Sequence, residues 1–414
     1  MQIKSFILSK KVNPEQLFML SVLIVNGGNY LYNLILGRLL GPTEFADAAV
    51  LVTFLLVLSF IAMTFQLATA KFSVLFESNL FTSFILRVYK NAVLIGILLG
   101  LTIIICAPQL QTLFNTSTSL MFVIFGVGVP FYFLMSVNRG IFQGKKELKS
   151  LSVTYQAEML SRLIITLILI FTLSSIAYST LIALGISISF LFGLIPFRYK
   201  SISFETKAVI DKAALKSIRS FFLLTAFYEL TQIIINNSDI LLVKHYFEPY
   251  EAGLYASLAL IGRIVYFVAW MFVMLLLPKV VQLKKENKNT SKVLFNYVLY
   301  ISIISLTIVL GCFLFPETII TILFGDSYIS MAHLLWKYAL ATSMFAISNI
   351  FAYYYLSLDR YLPVIISGVF GMLQMGLVIF FHESLEQVVY MQIIAMVLLL
   401  LIQLAFYKFD YKNK

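Results

Sequence analysis

Charged residues are scarce in this sequence. They make up 12% of the 414 residues, while apolar residues make up 61%; soluble domains carry about 25% charged and about 45–50% apolar residues. Because an apolar run of about 20 residues spans a bilayer, we predict an all-α membrane protein of about twelve transmembrane helices, with no soluble catalytic domain. The predicted spans are centred near residues 28, 58, 96, 130, 161, 186, 231, 264, 303, 343, 371 and 396.

Metal ligands and catalytic nucleophiles are sparse as well. The two cysteines, Cys106 and Cys312, lie singly in apolar runs and are expected to be small buried hydrophobes, not a disulfide or a metal pair. The three histidines, His245, His333 and His382, lack the spacing of metal ligands. No Ser–His–Asp or Cys–His arrangement is present. We therefore expect no metal, no other cofactor, no catalytic residues and no enzymatic activity.

Positive charge is unevenly distributed along the chain, whose net charge is +11. Lys and Arg residues concentrate at both termini and in the even-numbered loops, whereas the odd-numbered loops hold only Arg38 and Lys244. The fourth loop is one example, with Arg139, Lys145, Lys146 and Lys149. Because Lys- and Arg-rich loops stay in the cytoplasm, we predict that both termini are cytoplasmic. We attribute the charge to orientation and to anionic lipids, with no nucleic-acid partner.

The two halves of the chain partly repeat each other at a shift of 207 residues. Six of the 23 positions from Asn29 to Leu51 are identical in the second copy, where chance gives roughly two. The identities pair Asn29 with Asn236, Leu34 with Leu241, Pro42 with Pro249, Glu44 with Glu251, Ala49 with Ala256, and Leu51 with Leu258. In each copy we expect P-x-E to turn the chain between two spans.

Such a repeat predicts two parallel six-helix lobes, related by an axis along the membrane normal. The N-terminal lobe comprises residues 1–200, a cytoplasmic linker residues 201–217, and the C-terminal lobe residues 218–414. The first span is expected to stay in the protein as an anchor, because no signal cleavage site follows the N-terminal lysines. A duplicated membrane protein of this kind is typically a transporter that works by alternating access.

The seventh span carries a polar stripe in an apolar helix. Thr225, Glu229, Gln232, Asn236 and Asp239 are spaced 4, 3, 4 and 3 apart, which places them on one helix face. Lipid offers no partner to such side chains, so we predict that the stripe faces a cavity. Hydrogen bonding to neighbouring helices is the alternative.

The first span repeats this pattern with Asn26, Asn29 and Asn33. For these asparagines, a cavity and helix-to-helix hydrogen bonding are equally good interpretations. Polar stripes at equivalent places in both halves are what a shared central cavity requires.

Buried charges give the next candidates, because a charge at the bilayer centre is costly and therefore faces protein or water. Glu158 and Arg162 are four residues apart on one predicted helix and can neutralise each other. Arg263 has no acid nearby in sequence and needs Glu229, Asp239 or an anionic ligand.

A cationic group within the predicted membrane region can recognise an anion. We predict that Arg162 and Arg263, with Lys337 nearer the outer face, hold a phosphate or an acidic sugar. Arg38 and Lys244, at the outer mouth, either attract the same anion or are simply solvated.

Two stretches resemble bacterial polysaccharide flippases. One contains Asn29 and residues Leu36 to Ala46; the other contains residues Asn237 to Leu242 and Glu251 to Ala256. They resemble the polysaccharide transporter (O-antigen and oligosaccharide flippase) branch of the multidrug/oligosaccharidyl-lipid/polysaccharide exporter superfamily. The resemblance implies a V-shaped pair of six-helix lobes in the bacterial inner membrane. It also implies translocation of an undecaprenyl-diphosphate-linked oligosaccharide for surface polysaccharide synthesis.

The resemblance also assigns roles to predicted cavity residues. The diphosphate would bind Arg162 and Arg263, tyrosines such as Tyr228, Tyr255 and Tyr266 would contact sugar rings, and Glu229 or Asp239 would couple transport to an ion gradient. The substrate-binding candidates are Asn29, Asn33, Arg162, Gln232, Asn236, Arg263, Lys337 and Tyr266. The implied partners are the lipid-linked oligosaccharide, membrane lipids and the glycan polymerase or assembly machinery.

Other functions remain open at this point. A cation-coupled drug or metabolite antiporter of the same superfamily would favour a more acidic cavity. A lipid II flippase would need two further spans, for which the chain has no room. A membrane-embedded glycan polymerase or ligase would need a long outer loop, and an assembly partner without cargo would not need buried charges. The glycan, the coupling ion and the oligomeric state are not specified by the sequence.

Overall fold

The computed structural model describes residues 14–197, 211–358 and 360–412, and in these ranges the chain is helical without any strand. The first half contains α1 (Pro14–Leu75), α2 (Ser78–Ile105), α3 (Ala107–Leu113), α4 (Leu120–Gly144), α5 (Leu148–Thr172) and α6 (Tyr178–Gly193). The second half contains α7 (Lys212–Tyr246), α8 (Pro249–Gly262), α9 (Ile264–Lys285), α10 (Ser291–Leu314) and α11 (Pro316–Leu323). A 3-10 helix (Asp326–Leu334) then leads to α12 (Leu335–Ser357), α13 (Leu362–Phe380) and α14 (Leu385–Lys412).

Twelve spans can be identified among these helices. Ten stretches are long and apolar enough to cross a membrane. The first of them, Gln16–Leu75, is broken at Gly41 and supplies two spans, and the shorter apolar helix Tyr178–Gly193 supplies the twelfth. Each predicted centre falls inside one of these helices. The prediction of an all-α membrane protein with about twelve spans is therefore confirmed.

The break in α1 lies where the sequence predicts a turn. Gly41 has φ 75° and ψ 174°, a conformation that side-chain-bearing residues rarely adopt. Pro42 follows it and has no N–H to donate to the preceding turn. In the second copy, Pro249 is the first residue of α8, a position that suits proline. Both predicted turns are therefore present.

The two halves show the same order of elements. In each half, three spans are followed by a short helix and then by three more spans; the short helices are α3 and α11. Both short helices carry proline at their first or second position, where it is tolerated. This common order supports the internal repeat.

The chain divides into two compact units. Unit 1 contains the helical residues up to Tyr32 and the stretch Leu58–Glu229; unit 2 contains Asn33–Val57 and Leu230–Lys414. The segment Asn33–Val57 thus packs with unit 2, although the sequence places it in the N-terminal lobe. The predicted linker lies mostly outside the described residues, so the boundary at residues 201–217 stays a prediction.

The core of unit 2 is formed where α9, α10, α12 and α14 meet. Its centre contains the fully buried Leu276, Ile350 and Tyr355. Burying such side chains contributes about 1.5–3 kcal/mol each in water, but in lipid close packing matters more. This packing fixes α12 and α14, which carry Tyr338 and Gln392 of the Asp239 cluster described below.

Candidate functional site

Unit 1 contains a buried cluster of two arginines around one glutamate. Arg139 on α4 binds Glu158 on α5, with 2.7 Å between Nη2 and Oε2. Arg162, one turn further along α5, binds the other carboxylate oxygen of Glu158. All three residues are buried. The predicted pair Glu158–Arg162 is therefore confirmed, and the cluster as a whole carries a net charge of +1.

Arg139 lies in a helix, and its placement in a loop is therefore wrong. Helix α4 continues to Gly144, so Arg139 lies more than a turn inside it. Its Nε donates to Thr154 Oγ1 over 3.1 Å and its Nη2 to the Thr154 carbonyl over 2.9 Å. Its guanidinium lies 4.1 Å from the Tyr155 ring centroid. Arg139 is thus held on three sides by α5.

Arg162 is less completely bonded than Arg139. Its Nη1 donates to Asn29 Oδ1 over a long 3.4 Å, and its Nε has no hydrogen-bond partner among the described residues. The residue is nevertheless only 8% exposed. A buried guanidinium with an unused donor is unfavourable unless a further acceptor is present. Arg162 therefore keeps one buried donor that no described residue satisfies.

Polar contacts join the first helix to α5 around this cluster. Gln156 donates to both the carbonyl and the hydroxyl of Ser21 over 3.1 Å, and the hydroxyls of Tyr32 and Thr166 lie 3.4 Å apart. These contacts fix the part of α1 that carries Asn29. They are helix-to-helix hydrogen bonds of the kind expected in a membrane.

Unit 2 contains a different cluster, centred on Asp239. Asp239 Oδ1 accepts from Arg263 Nη2 at 2.8 Å. Asp239 Oδ2 accepts from the hydroxyls of Tyr338 at 2.7 Å and Tyr255 at 3.1 Å, and from Gln392 Nε2 at 3.3 Å. Asp239 is 2% exposed. The sequence left Glu229, Asp239 or an anionic ligand as the partner of Arg263, and in the structure the partner is Asp239.

These contacts bear on the ion-coupling prediction. A carboxylate offers about four acceptor positions, and in Asp239 four donors already bind. Three of them bind Oδ2, so an ion at Asp239 would have to use the remaining position on Oδ1, beside the Arg263 guanidinium. Glu229, the other candidate, is half-buried and has no hydrogen bond or ion pair within the described ranges. The geometry therefore favours Glu229 over Asp239 as a group that exchanges an ion.

A small cleft, with room for about one water molecule, lies beside the Asp239 cluster in unit 2. It is lined by Ile235, Asn236, Arg263, Tyr338, Ala341, Thr342, Phe345, Gln374, Gln392 and Met396. Asn236 Nδ2 donates to the Gln232 carbonyl over 2.8 Å, and the Tyr266 hydroxyl donates to Gln232 Oε1 over 3.4 Å. The Tyr266 ring stacks on Phe345, with centroids 5.4 Å apart.

The predicted site residues are only partly brought together. In unit 2, Asn236 and Arg263 line the cleft, and Gln232 and Tyr266 lie next to it. Lys337 does not line it: its Nζ lies 2.5 Å from Glu386 Oε1 and 2.9 Å from the Tyr390 hydroxyl. Asn33 is half-buried in unit 2, while Asn29, Arg162 and Glu229 belong to unit 1.

The expectation for Lys244 is wrong. The residue is 1% exposed and forms an ion pair with Asp47, with 2.9 Å between Nζ and Oδ1. Helix α7 extends to Tyr246, so Lys244 lies in its last turn and not in a solvated loop. Arg38 is exposed, as predicted, and donates to the Ile322 carbonyl.

Sequence reasoning missed several residues of the two clusters. Gln374 and Gln392 are uncharged amides inside apolar spans, so the rule that selected the buried charges could have selected them too. Tyr338 had no such signal, because it is one of 23 tyrosines. Tyr255 was expected to contact sugar, but its hydroxyl binds Asp239.

Comparison with known proteins adds a family and a fold. The family model described as polysaccharide biosynthesis protein matches residues 35–333. A search of curated proteins finds no match for the chain.

Solved structures give long matches at low identity. An inward-facing multidrug resistance transporter of the MATE family, in the MOP superfamily, is 14% identical, with a TM-score of 0.76 over 94% of this chain and 95% of that one. The lipid II flippase MurJ, in an inward closed conformation, is 16% identical, with a TM-score of 0.75 over 95% and 87%. An outward-facing MATE transporter is 15% identical, with a TM-score of 0.60 over 97% of each chain. These matches show the two-lobed helical fold of these transporters.

Proposed function

Because the chain belongs to the polysaccharide biosynthesis protein family, we propose that it translocates an undecaprenyl-diphosphate-linked oligosaccharide across the cytoplasmic membrane of a bacterium. Both termini lie in the cytoplasm in this proposal, in line with the Lys- and Arg-rich loops. The glycan is then used for a surface polysaccharide. The protein acts by alternating access and forms no covalent bond with its cargo.

The observation that carries this proposal is the net positive charge buried in unit 1. Two arginines share one glutamate, and Arg162 Nε lacks an acceptor among the described side chains. A diphosphate supplies the missing negative charge and several acceptor oxygens. Guanidinium groups suit phosphate because their planar donors can bind two oxygens at once.

In this mechanism Arg162 binds the diphosphate, while Arg139 and Glu158 hold its guanidinium in place. The lipid tail stays in the bilayer, so that the polar headgroup and glycan alone need a protein-lined path. Release on the other side requires the interaction to be reversible. A 2:1 cluster suits this requirement, because Arg162 keeps its bond to Glu158 after the anion leaves.

Coupling to an ion gradient is assigned to Glu229. Its carboxylate is half-buried and has no protein partner in the described part of the chain, so binding or losing an ion would not dismantle an existing ion pair. Asp239, which is paired with Arg263 and accepts from three further donors, keeps a structural role in this proposal.

The decisive experiment is to measure the lipid-linked oligosaccharide pool in cells that lack this protein. Its sidedness is probed with a membrane-impermeant reagent that modifies sugars. We expect the pool to accumulate on the cytoplasmic leaflet and surface glycan to be lost. Accumulation on the outer leaflet would instead indicate a polymerase or ligase, and a normal pool would indicate export of a different cargo, such as a drug or metabolite.

A further inference from the structure

The two repeated turns of the chain touch each other within unit 2. The segment Asn33–Val57, which contains the first turn, belongs to this unit together with α8. A methyl group at Gly253 on α8 would lie 1.7 Å from the Pro42 carbonyl oxygen, so the two backbones are in direct contact. The equivalent position of the first repeat is Ala46, so a helix at this place does not by itself require glycine. Gly253 is needed for the close approach.

A buried ion pair joins the same segment to the end of α7. Lys244 Nζ lies 2.9 Å from Asp47 Oδ1, and the two residues are 1% and 3% exposed. Removing two charges from water costs about as much as their attraction returns, so such a pair adds little net stability. It does determine which surfaces meet. Because water solvates both charges when the surfaces separate, this contact can open more readily than an apolar contact of equal size.

The segment is also held from its other side, by α11 and the 3-10 helix. The buried hydroxyl of Tyr328 donates to the Gly37 carbonyl over 2.7 Å, and Arg38 donates to the Ile322 carbonyl. Gly37 and Arg38 precede the turn, whereas Asp47 follows it. Unit 2 therefore holds the segment as a whole hairpin and not by one arm alone.

The residues before and after this hairpin belong to unit 1. The chain passes into unit 2 after Tyr32 and returns after Val57, both within α1. Any movement of one unit relative to the other must therefore bend α1 at both points or detach the hairpin from unit 2. Sharp helix bends almost always lie at proline, at glycine or at an inserted side chain. The second point offers no such residue, because no glycine or proline occurs between Pro42 and Gly96. The sequence thus favours detachment.

We propose that the contacts of Pro42 and Asp47 with Gly253 and Lys244 form a latch, which is released in each transport cycle. The hairpin Asn33–Val57 then leaves α7 and α8 as one rigid piece, at the end of the helices that the proposed function places outside. The proposal rests on the proposed function for alternating access, but the latch itself can be tested without cargo. It gives a role to the repeated P-x-E turns, which the arginine cluster does not use.

Lys244 reports whether the latch is closed. Full-length protein in lipid nanodiscs is treated with a water-soluble ester that acylates amines, and mass spectrometry follows the labelling of Lys244. Labelling of the unchanged protein should be slow, because this amine is buried and paired. Gly253→Ala should be labelled roughly tenfold faster, because a methyl group without space weakens a packed contact.

Gly376→Ala is the matched control for this variant. Gly376 lies within α13 of the same unit, and a methyl group there would meet nothing within 4 Å, so labelling should stay slow. If Gly253→Ala fails to fold, Tyr328→Phe replaces it, because it removes a hydrogen bond to the hairpin. Its own control is Tyr250→Phe, which removes a hydroxyl bonded to the 3-10 helix and not to the hairpin.

A reversible cross-link tests whether export needs the latch to release. In a Cys106→Ala/Cys312→Ala background, Lys244→Cys and Asp47→Cys are joined by a short linker that a reductant cleaves. We expect the outer-leaflet fraction of the lipid-linked oligosaccharide to fall to that of cells lacking the protein, and the reductant to restore it. The same linker between Glu286→Cys and Lys288→Cys, which replace an exposed ion pair, should leave export unchanged.

Each outcome decides the proposal. Fast labelling in Gly253→Ala with slow labelling in Gly376→Ala supports the latch, and so does export that stops only in the cross-linked protein. Fast labelling of the unchanged protein, equal labelling of the two glycine variants, or normal export by the cross-linked protein overturns it.

The latch and the flippase can fail separately. A cytoplasmic pool in deleted cells, together with normal export by the cross-linked protein, would refute the latch and leave the flippase intact. A normal pool, together with the expected labelling of the glycine variants, would refute the flippase and leave a latch in a transporter of other cargo.

Discussion

Each unit buries an acid beside arginine. The two clusters differ in whether every hydrogen-bond donor of the arginine has an acceptor. In unit 1, two guanidinium groups share Glu158, and Arg162 has a donor without an acceptor among the described residues. In unit 2, Arg263 has one acid, and Asp239 accepts from four donors. In the proposed function the first cluster takes up an anion, whereas in the second the arginine is already paired with an acid.

The difference teaches that a buried charge is not by itself a binding site. Both Arg162 and Arg263 satisfy the rule that intramembrane charges mark function. What separates them is whether neighbouring residues already satisfy each donor and acceptor. A complete ion pair fixes helices, whereas an incomplete one can bind a ligand reversibly.

The largest effect is expected when the complete cluster is broken from one side. In Asp239→Ala, Arg263 stays buried without its acid, which should lower the free energy of unfolding by about 3–5 kcal/mol. The measurement is the thermal midpoint in nanodiscs. The double variant Asp239→Ala/Arg263→Met should recover much of this loss, because no unpaired charge remains.

The same Asp239→Ala variant also tests the prediction that Asp239 couples transport to an ion. If Asp239→Ala keeps the midpoint of the unchanged protein but loses gradient-driven transport, Asp239 exchanges an ion after all. The two clusters would then not differ in the way described.

The second effect concerns the incomplete cluster. In Arg162→Ala, Glu158 keeps its bond to Arg139, so we expect the protein to stay folded and inserted. Export should fall by roughly thirtyfold or more, because losing one partner of a desolvated charge pair weakens binding by about 2–5 kcal/mol. The measurement is the outer-leaflet fraction of the lipid-linked oligosaccharide, normalised to protein in the membrane.

Two variants control for this result. Arg162→Lys keeps the positive charge but loses the planar guanidinium with its paired donors. Its export should therefore lie between that of the unchanged protein and that of Arg162→Ala. Arg360→Ala removes a partly exposed arginine that binds Asp410 and should leave export unchanged. Normal export by Arg162→Ala would refute the anion site.

The third effect tests Glu229. We expect Glu229→Gln to transport roughly tenfold more slowly under an imposed gradient, a typical size for coupling between two sites, and to lose its response to that gradient. The assay uses proteoliposomes with and without a proton or sodium gradient. Glu251→Gln, at an exposed position of α8, is the control, and a gradient response kept by Glu229→Gln would argue against the assignment.

The sequence was enough to predict most of the fold. Apolar length located all twelve spans, including the broken α1, because Gly41 and Pro42 mark its turn in the sequence. The two junctions that resemble polysaccharide flippases led to the polysaccharide biosynthesis family, which the family model confirms. These properties follow from local composition, which a single sequence contains.

The sites were less predictable, because they depend on which distant helices meet. Glu158 and Arg162 could be paired, since they are four residues apart on one helix. Nothing in the sequence showed that Arg139 would join them, or that Tyr338 and Gln392 would satisfy Asp239. The net charge of a cluster depends on which helices pack together. The difference between the unit 1 and unit 2 clusters could therefore be seen only in the structure.

The smallest effect is expected at Lys337, which the sequence grouped with Arg162 and Arg263. Lys337 pairs with Glu386, a residue 44% exposed at its side chain, and such solvent-screened pairs contribute little. Lys337→Gln should therefore change the outer-leaflet fraction by less than about a factor of two. A loss as large as that of Arg162→Ala would mean that cargo binding follows the total positive charge. The unfilled donor of Arg162 would then no longer distinguish the two clusters, because a fully paired lysine would matter as much.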